Sequence, residues 1–194
     1  MVITAHNSNK TDAELVLLTL QNQDYYAFIV DRYTAKLSRY IKRLSNFSNE
    51  DIEDVLQNVF LKAYRNLNEF DQKLKFSSWI YRITHNEVIS QFRKNKVRPQ
   101  TVIAVDDAKI INKFSADIDI PRELDQKFLT QKYSNFLSNL SAKYREVLIL
   151  RYLEDKSYEE IADILKTSIG SVGTLISRAK QKLKKEVLPI AKKK

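Results

Sequence analysis

The chain has 194 residues, among them no cysteine, two glycines, three prolines and two histidines. Without cysteine there is no disulfide framework and no thiolate to act as nucleophile or metal ligand. His6 and His85 stand alone in the sequence, and a zinc site would need several carboxylates gathered around them, so neither a metal site nor any other cofactor is expected. A phosphate-cradling glycine loop is also missing, which leaves no constellation for a small helical enzyme. So few glycines and prolines, with Leu, Ile, Lys and Glu throughout and no sustained period-two alternation, predict an all-α protein. No apolar run is long enough to span a bilayer, and no charged-then-apolar leader opens the chain. A soluble, cytoplasmic protein without membrane insertion is therefore expected.

What is present is charge, unevenly placed. The formal net charge is +9, which suits a polyanionic partner but also fits an ordinary coat of solvated lysines. Arg93, Lys94, Lys96 and Arg98 form one basic cluster; Arg178, Lys180, Lys182, Lys184, Lys185 and Lys192 to Lys194 form another. Between them the helical periodicity fades, two of the three prolines appear, and Asp106, Asp107, Asp117 and Asp119 turn the balance negative. The expected organisation is two small helical domains, 1–98 and 124–194, joined by an irregular acidic linker over 99–123, with a helix around Ala108 to Phe114 as the plainer alternative. The polar start up to Lys10 is expected to be disordered.

The stretch from Ser157 to Leu183 has the pattern of two helices joined by a tight turn. Ser157 and Glu160 form a capping box signature, and Ile161, Ala162, Ile164 and Leu165 supply one apolar side. Lys166 to Ser168 is a polar break, with Ser168 placed to cap a second helix. In that helix Ile169, Val172, Ile176, Ala179 and Leu183 form a stripe at spacings of three and four. The opposite face carries Ser171, Thr174, Arg178 and Lys182, small hydroxyls first and cations later, with Lys180 alongside. That order suits a helix entering the major groove tip-first while its later turns meet phosphates. An ordinary helical hairpin is the alternative. Gly170 and Gly173 sit in the same helix, each at a cost of about 1 kcal/mol relative to alanine. Close approach of DNA or of the preceding helix would explain them, as would merely poor local helicity.

In the first domain a short helix capped by Thr11 and Glu14 is expected, and a longer one after Asp24 with Tyr26, Ile29, Tyr33, Leu37, Tyr40, Ile41 and Leu44 inward. The helix from Asp51 separates into two faces at about 100° per residue. Ile52, Val55, Leu56, Val59, Phe60 and Ala63 centre on one side; Asp54, Gln57, Asn58 and Leu61 centre on the other. A leucine ringed by acids and amides is either a partner-binding anchor or a stray on a solvated face. Aromatics then become dense: Phe70, Phe76, Trp79, Tyr81 and Phe92. Phe76, Trp79, Ile80 and Ile83 share an arc that can pack inward, while Arg82, Asn86, Ile89 and Arg93 share another. The second arc, with a flexible loop from Glu69 to Lys75, could hold single-stranded DNA, its bases stacked on rings or taken into the loop; core packing and a solvated face are the alternatives.

The runs DIEDVLQNVFLKAYRNLNEF and FSSWIYRITHNEVISQFRK, followed much later by LSAKYREVLILRYLEDKSYEEIADIL, resemble in order and spacing the two modules of sigma-70 family initiation factors. The lack of further domains is similar to the compact extracytoplasmic-function (ECF) group. The resemblance implies a non-enzymatic transcription initiation factor that directs core RNA polymerase to promoters. It implies that Asp51, Asp54, Gln57, Asn58, Phe60 and Leu61 face the clamp helices of the polymerase largest subunit, with the flap as a further contact. Phe70, Phe76, Trp79, Tyr81, Arg82, Asn86 and Arg93 would melt and read the −10 element. Ser168, Ser171, Thr174, Arg178, Lys180 and Lys182 would read the −35 element, the linker would thread toward the active cleft, and an anti-sigma factor is a possible further partner. The sequence departs from the family at Asn58, Ser90, Ser141, Lys166, Gly173 and Leu175, the last two where a cation is common. A stand-alone helix-turn-helix regulator is the alternative function, and it would need neither the Leu61 face nor the aromatic basic helix.

Overall fold

The computed structural model describes residues 9–94 and 126–191. The expected acidic linker, the helix around Ala108 to Phe114 and nearly all of the polar start lie outside the described residues. All regular elements among the described residues are helical, and the chain divides into two compact units. The first holds α1 (Asp12–Gln21), all but the last two residues of α2 (Tyr26–Leu44), α3 (Asn49–Arg65) and α4 (Phe76–Lys94). The second holds α5 (Gln126–Asn139), α6 (Ala142–Leu148, widening into a π-helical stretch at Ile149–Leu153), α7 (Tyr158–Leu165) and α8 (Ile169–Ala191).

Three reciprocal caps set helix starts. Thr11 and Glu14 open α1, with Thr11 N donating to Glu14 Oε2 at 2.6 Å and Glu14 N to Thr11 Oγ1 at 3.3 Å. Ser48 and Asp51 do the same for α3, which therefore begins at Asn49, two residues before the start expected at Asp51. Ser157 and Glu160 open α7, at 2.9 and 3.2 Å. Each box satisfies two N–H groups that a helix start would otherwise leave orphaned.

In the first unit α1 is tied to α2 through Asp12, which accepts from Arg32 Nη1 at 2.8 Å and from the Tyr33 hydroxyl. Burial, reinforced by that carboxylate, raises the Tyr33 phenol above its ordinary pKa. Helix α3 buries its expected face (Ile52, Val55, Leu56, Val59, Phe60 and Ala63) and packs along α4, whose Phe76, Trp79, Ile80, Tyr81, Val88 and Phe92 are buried. Across this seam Lys62 pairs with Glu87, a buried carboxylate that desolvation would penalise without its partner. A ring cluster closes the end of the seam: Phe70 lies 5.5 Å from Phe76 and 5.2 Å from Trp79, and Phe76 lies 5.5 Å from Trp79.

The second unit wraps α6 and α7 around α8. Val172, Ile176, Ala179 and Leu183 are buried, as expected of the α8 stripe. Ile169 is not: it is 49% exposed. It occupies the first turn, where the side chain leans back toward the N-terminus and so clears the packed part of the helix. Arg145 is buried and donates to three carbonyls at the end of α5, those of Leu137 (2.9 Å), Ser138 (2.9 Å) and Leu140 (2.6 Å). It is thus a C-terminal cap supplied by the next helix, matching the negative end of the α5 dipole. Burial lowers its pKa, against the opposing influence of Glu146, but a guanidinium remains charged. Between α7 and α8, Lys166 adopts the left-handed conformation (φ 51°, ψ 52°) that closes a helix C-terminus, and its N–H and that of Thr167 both reach the Ala162 carbonyl.

Replacing Arg145 with alanine strands these buried carbonyls and is expected to destabilise the second unit by about 2 kcal/mol, read as a shift in its urea unfolding midpoint. Lys166→Gly should act in the opposite direction. It removes the left-handed penalty for a residue with a Cβ at the cost of extra unfolded-state entropy, for a net gain of roughly 0.5–1 kcal/mol in the same measurement. The 3.5 Å Lys166–Asp163 ion pair that it sacrifices is exposed on the lysine side and contributes little.

Candidate polymerase and nucleic-acid interfaces

Three surfaces collect the candidate residues. The first is the outer face of α3, where Asp54, Gln57, Asn58 and Leu61 are exposed side by side, Leu61 at 46%. Two residues of the expected set lie elsewhere. Phe60 is on the buried face, with its carbonyl accepting from the Tyr26 hydroxyl at 2.6 Å, and the Asp51 carboxylate serves the α3 capping box. Beside Leu61 the exposed Tyr64 was not singled out from the sequence. The signal was available, since Leu61 and Tyr64 are three apart on one helix face.

The second surface belongs to α4 and the loop before it. Arg82 is half-buried, while Asn86 and Arg93 are exposed along the helix. Phe70, Phe76, Trp79 and Tyr81 are buried, so in the isolated unit these rings pack in the core, as the inward arc of Phe76 and Trp79 allowed. The loop expected to be flexible is built of turns. Leu67–Glu69 forms a 3-10 turn; beyond it Leu74 N donates to the Asp71 carbonyl and Lys73 N to Asp71 Oδ1, both at 2.9 Å. Leu74 is thereby held 44% exposed between Lys73 and Lys75, outside the sets of residues expected from the sequence.

The third surface is the outer face of α8. Ser168, Ser171, Thr174, Arg178 and Lys182 are exposed and Lys180 is half-buried. Ser168 Oγ caps the helix by accepting from Ser171 N at 3.1 Å, and Thr174 Oγ1 donates to the Gly170 carbonyl at 2.9 Å, leaving its own lone pairs for a donor from outside. Lys182 sits 4.9 Å over the Tyr144 ring and Lys180 5.9 Å from that of Tyr152. Arg178 has no hydrogen bond or ion pair among the described residues. A Cβ added at Gly170 would meet only Ser168 Oγ at 4.0 Å; at Gly173 it would meet the Tyr158 ring at 3.7 Å, an ordinary contact. Close approach of the preceding helix therefore does not require either glycine. Among the described residues no group of His, Asp and Glu side chains is placed to hold a metal ion, and no helix is long and apolar enough to cross a membrane.

The model for sigma-70 region 2 matches residues 29–98 and that for sigma-70 region 4 matches residues 130–183. The ECF RNA polymerase sigma factor SigW of Bacillus subtilis is 32% identical over 170 residues, covering 86% of this chain and 90% of the relative. The ECF RNA polymerase sigma-E factor of Haemophilus influenzae is 31% identical over 186 residues, covering 93% and 97%. Among solved structures, CnrH in complex with the cytosolic domain of CnrY shares the fold at a TM-score of 0.64 and 24% identity, over 93% of this chain and 97% of that one. The sigma factor RpoE of Bartonella quintana, solved with the anti-sigma factor NepR, shares it at 0.54 and 23%, over 80% and 93%. With both regions matched in order and relatives above 30% identity spanning most of each chain, this chain belongs to the sigma-70 family, as a promoter-recognising RNA polymerase sigma factor of the ECF type.

Proposed function

We propose that residues 1–98 bind core RNA polymerase and read and melt the −10 element, that 124–194 read the −35 element, and that 99–123 link them. The observation that carries this division is the pairing, in one small helical unit, of an acid-and-amide face around Leu61 with an adjoining basic helix. A stand-alone regulator would need only the helix-turn-helix of the other unit. Asp54, Gln57, Asn58 and Leu61 are the contacts to the clamp helices, with Asp51 and Phe60 shaping that face from its cap and its underside; the flap is the partner of the second unit.

On the DNA side, Arg82, Asn86 and Arg93 touch the −10 strand, and the Asp71–Lys75 turn receives unpaired bases. Phe70, Phe76, Trp79 and Tyr81 act from beneath by holding that turn and α4 rigid. Ser168, Ser171 and Thr174 present donors and acceptors to the −35 major groove, while Arg178, Lys180 and Lys182 meet phosphates. Opening follows from differential binding: a surface that holds the unpaired strand better than the duplex lowers the cost of melting. The chain makes and breaks no covalent bond, the polymerase performs the catalysis, and the protein works in the bacterial cytoplasm. The anti-sigma complex of its Bartonella fold relative supports control by an anti-sigma factor.

Purified chain added to core polymerase is expected to yield promoter-dependent transcripts on its cognate genome; their absence would sink this reading. Asp54→Ala combined with Leu61→Ala should weaken core binding by about tenfold or more in a competition assay, as loss of a central anchor does. Arg178→Ala should leave core binding intact, weaken −35 binding, and reduce the log–log salt slope of promoter binding by about one unit.

A further inference from the structure

A groove of about 570 Å³ opens beside the α3 face, lined by Gln23, Asp24, Tyr26, Phe60, Leu61 and Tyr64. The Tyr26 and Tyr64 rings lie 5.0 Å apart, inclined at 58°. Both hydroxyls are engaged within the unit, Tyr26 with the Phe60 carbonyl at 2.6 Å and Tyr64 with Gln23 Oε1 at 3.3 Å. What remains for an occupant is therefore ring surface. The one charged residue in the lining is Asp24, whose exposed carboxylate has no ion pair or hydrogen bond among the described residues. Lys62, a nearby cation on α3, is committed to Glu87.

We infer that this groove is an arginine pocket for the polymerase, extending the α3 contact onto the start of α2. Aromatic surface with a carboxylate beside it and no cation in the lining is the chemistry that accepts a guanidinium. The flat cation stacks on a ring while its fork pairs with the acid, a match that a compact ammonium makes less well. Leu61 lines the groove and also stands on the α3 face, so whatever covers that face reaches the groove as well. Sign agrees too. In a chain of net charge +9, α3 exposes Glu50, Glu53 and Asp54 against the single cation Arg65 on the Leu61 side, so with Asp24 this surface is net negative and fits a partner helix that presents basic and apolar side chains together. The inference rests on the proposal that the Leu61 face binds the clamp helices, and adds a second anchor to it.

The test is equilibrium binding of the full chain to core polymerase. Asp24→Lys should lower affinity on the order of tenfold, and Asp24→Asn by roughly threefold with a shallower salt dependence. Tyr64→Leu, which keeps apolar area but removes the ring, should cost about threefold. Thermal melts check that each variant is folded. Changing the exposed arginines of the clamp helices to glutamate one at a time should yield one polymerase variant that recovers binding of the Asp24→Lys chain. If no such variant restores binding, the arginine pocket is wrong. If Asp24→Lys and Tyr64→Leu bind within twofold of wild type while the Asp54→Ala, Leu61→Ala chain binds weakly, the groove is not part of the interface although the face is. Wild-type binding by all of these variants overturns the α3 interface and the pocket together.

Discussion

The packing of Phe70 against Phe76 and Trp79 joins the segment after α3 to the first turns of α4, with Tyr33 of α2 bringing its ring to within 5.6 Å of Phe76. Aromatic pairs of this kind contribute about 0.5–1.5 kcal/mol each beyond their burial. Their larger consequence is geometric. The Asp71–Lys75 turn is anchored at both ends by buried rings, so its exposed tip is presented rather than left to wander. The Leu61 face of α3 and the basic face of α4 thereby belong to one rigid body. On the proposed division of roles, core binding at one sets where the other meets DNA, provided the seam between the helices does not slip.

What resists slipping is the pairing of Lys62 with Glu87. An exposed pair would contribute little, but the Glu87 side chain is 4% exposed, so losing Lys62 would leave a buried carboxylate uncompensated. Such a pair specifies register more than it adds stability, because any shift of α3 along α4 separates it. The second unit uses a related device with a different partner. Arg145 seals the C-terminus of α5 through backbone carbonyls and so fixes the angle at which the chain turns into α6. With no disulfide to draw on, both units rely on single buried ionic side chains to fix helix-to-helix geometry.

Helical periodicity made most of this legible in the sequence. The inward face of α3, the α8 stripe from Val172 to Leu183 and the capping boxes at Thr11 and Ser157 follow from local spacing, and the structure contains them. The misses share a cause. Ile169 fits the stripe by arithmetic, but whether a first-turn residue is covered depends on how far the neighbouring helices extend. Phe60 falls on the inward face by the same arithmetic that exposes Leu61, and only the family resemblance groups the two; the structure buries it. The Tyr26–Tyr64 groove, the Lys62–Glu87 pair and the reach of Arg145 to the end of α5 all join separate helices, and no single-helix pattern encodes them. The closure by Asp71 is legible in principle, since an aspartate oxygen commonly accepts from the amide two residues on, whereas the expectation for Glu69 to Lys75 is only a flexible loop.

The recognition helix shows where local preference yields to something outside the chain. Its first turns hold Gly170, Ser171, Gly173 and Thr174, all weak helix formers, and the turn before it forces Lys166 into a conformation that glycine would adopt more cheaply. Neither glycine has a positive φ, and neither faces an atom that would exclude a Cβ. Their cost of about 1 kcal/mol each is thus unexplained by the unit's own packing. Sequences that violate local rules do so mainly at functional positions. A helix tip made of glycine and small hydroxyls is also the form that lets a DNA backbone or base edge come close, with the cations placed one to two turns later. The same tip carries no charge at Gly173 and Leu175, so the first cation within α8 is Arg178, with Lys166 in the turn before it. On the proposed division of roles, docking of this unit would depend on close fit at the tip more than on long-range attraction, and the first unit, held by polymerase, would bring it to the DNA.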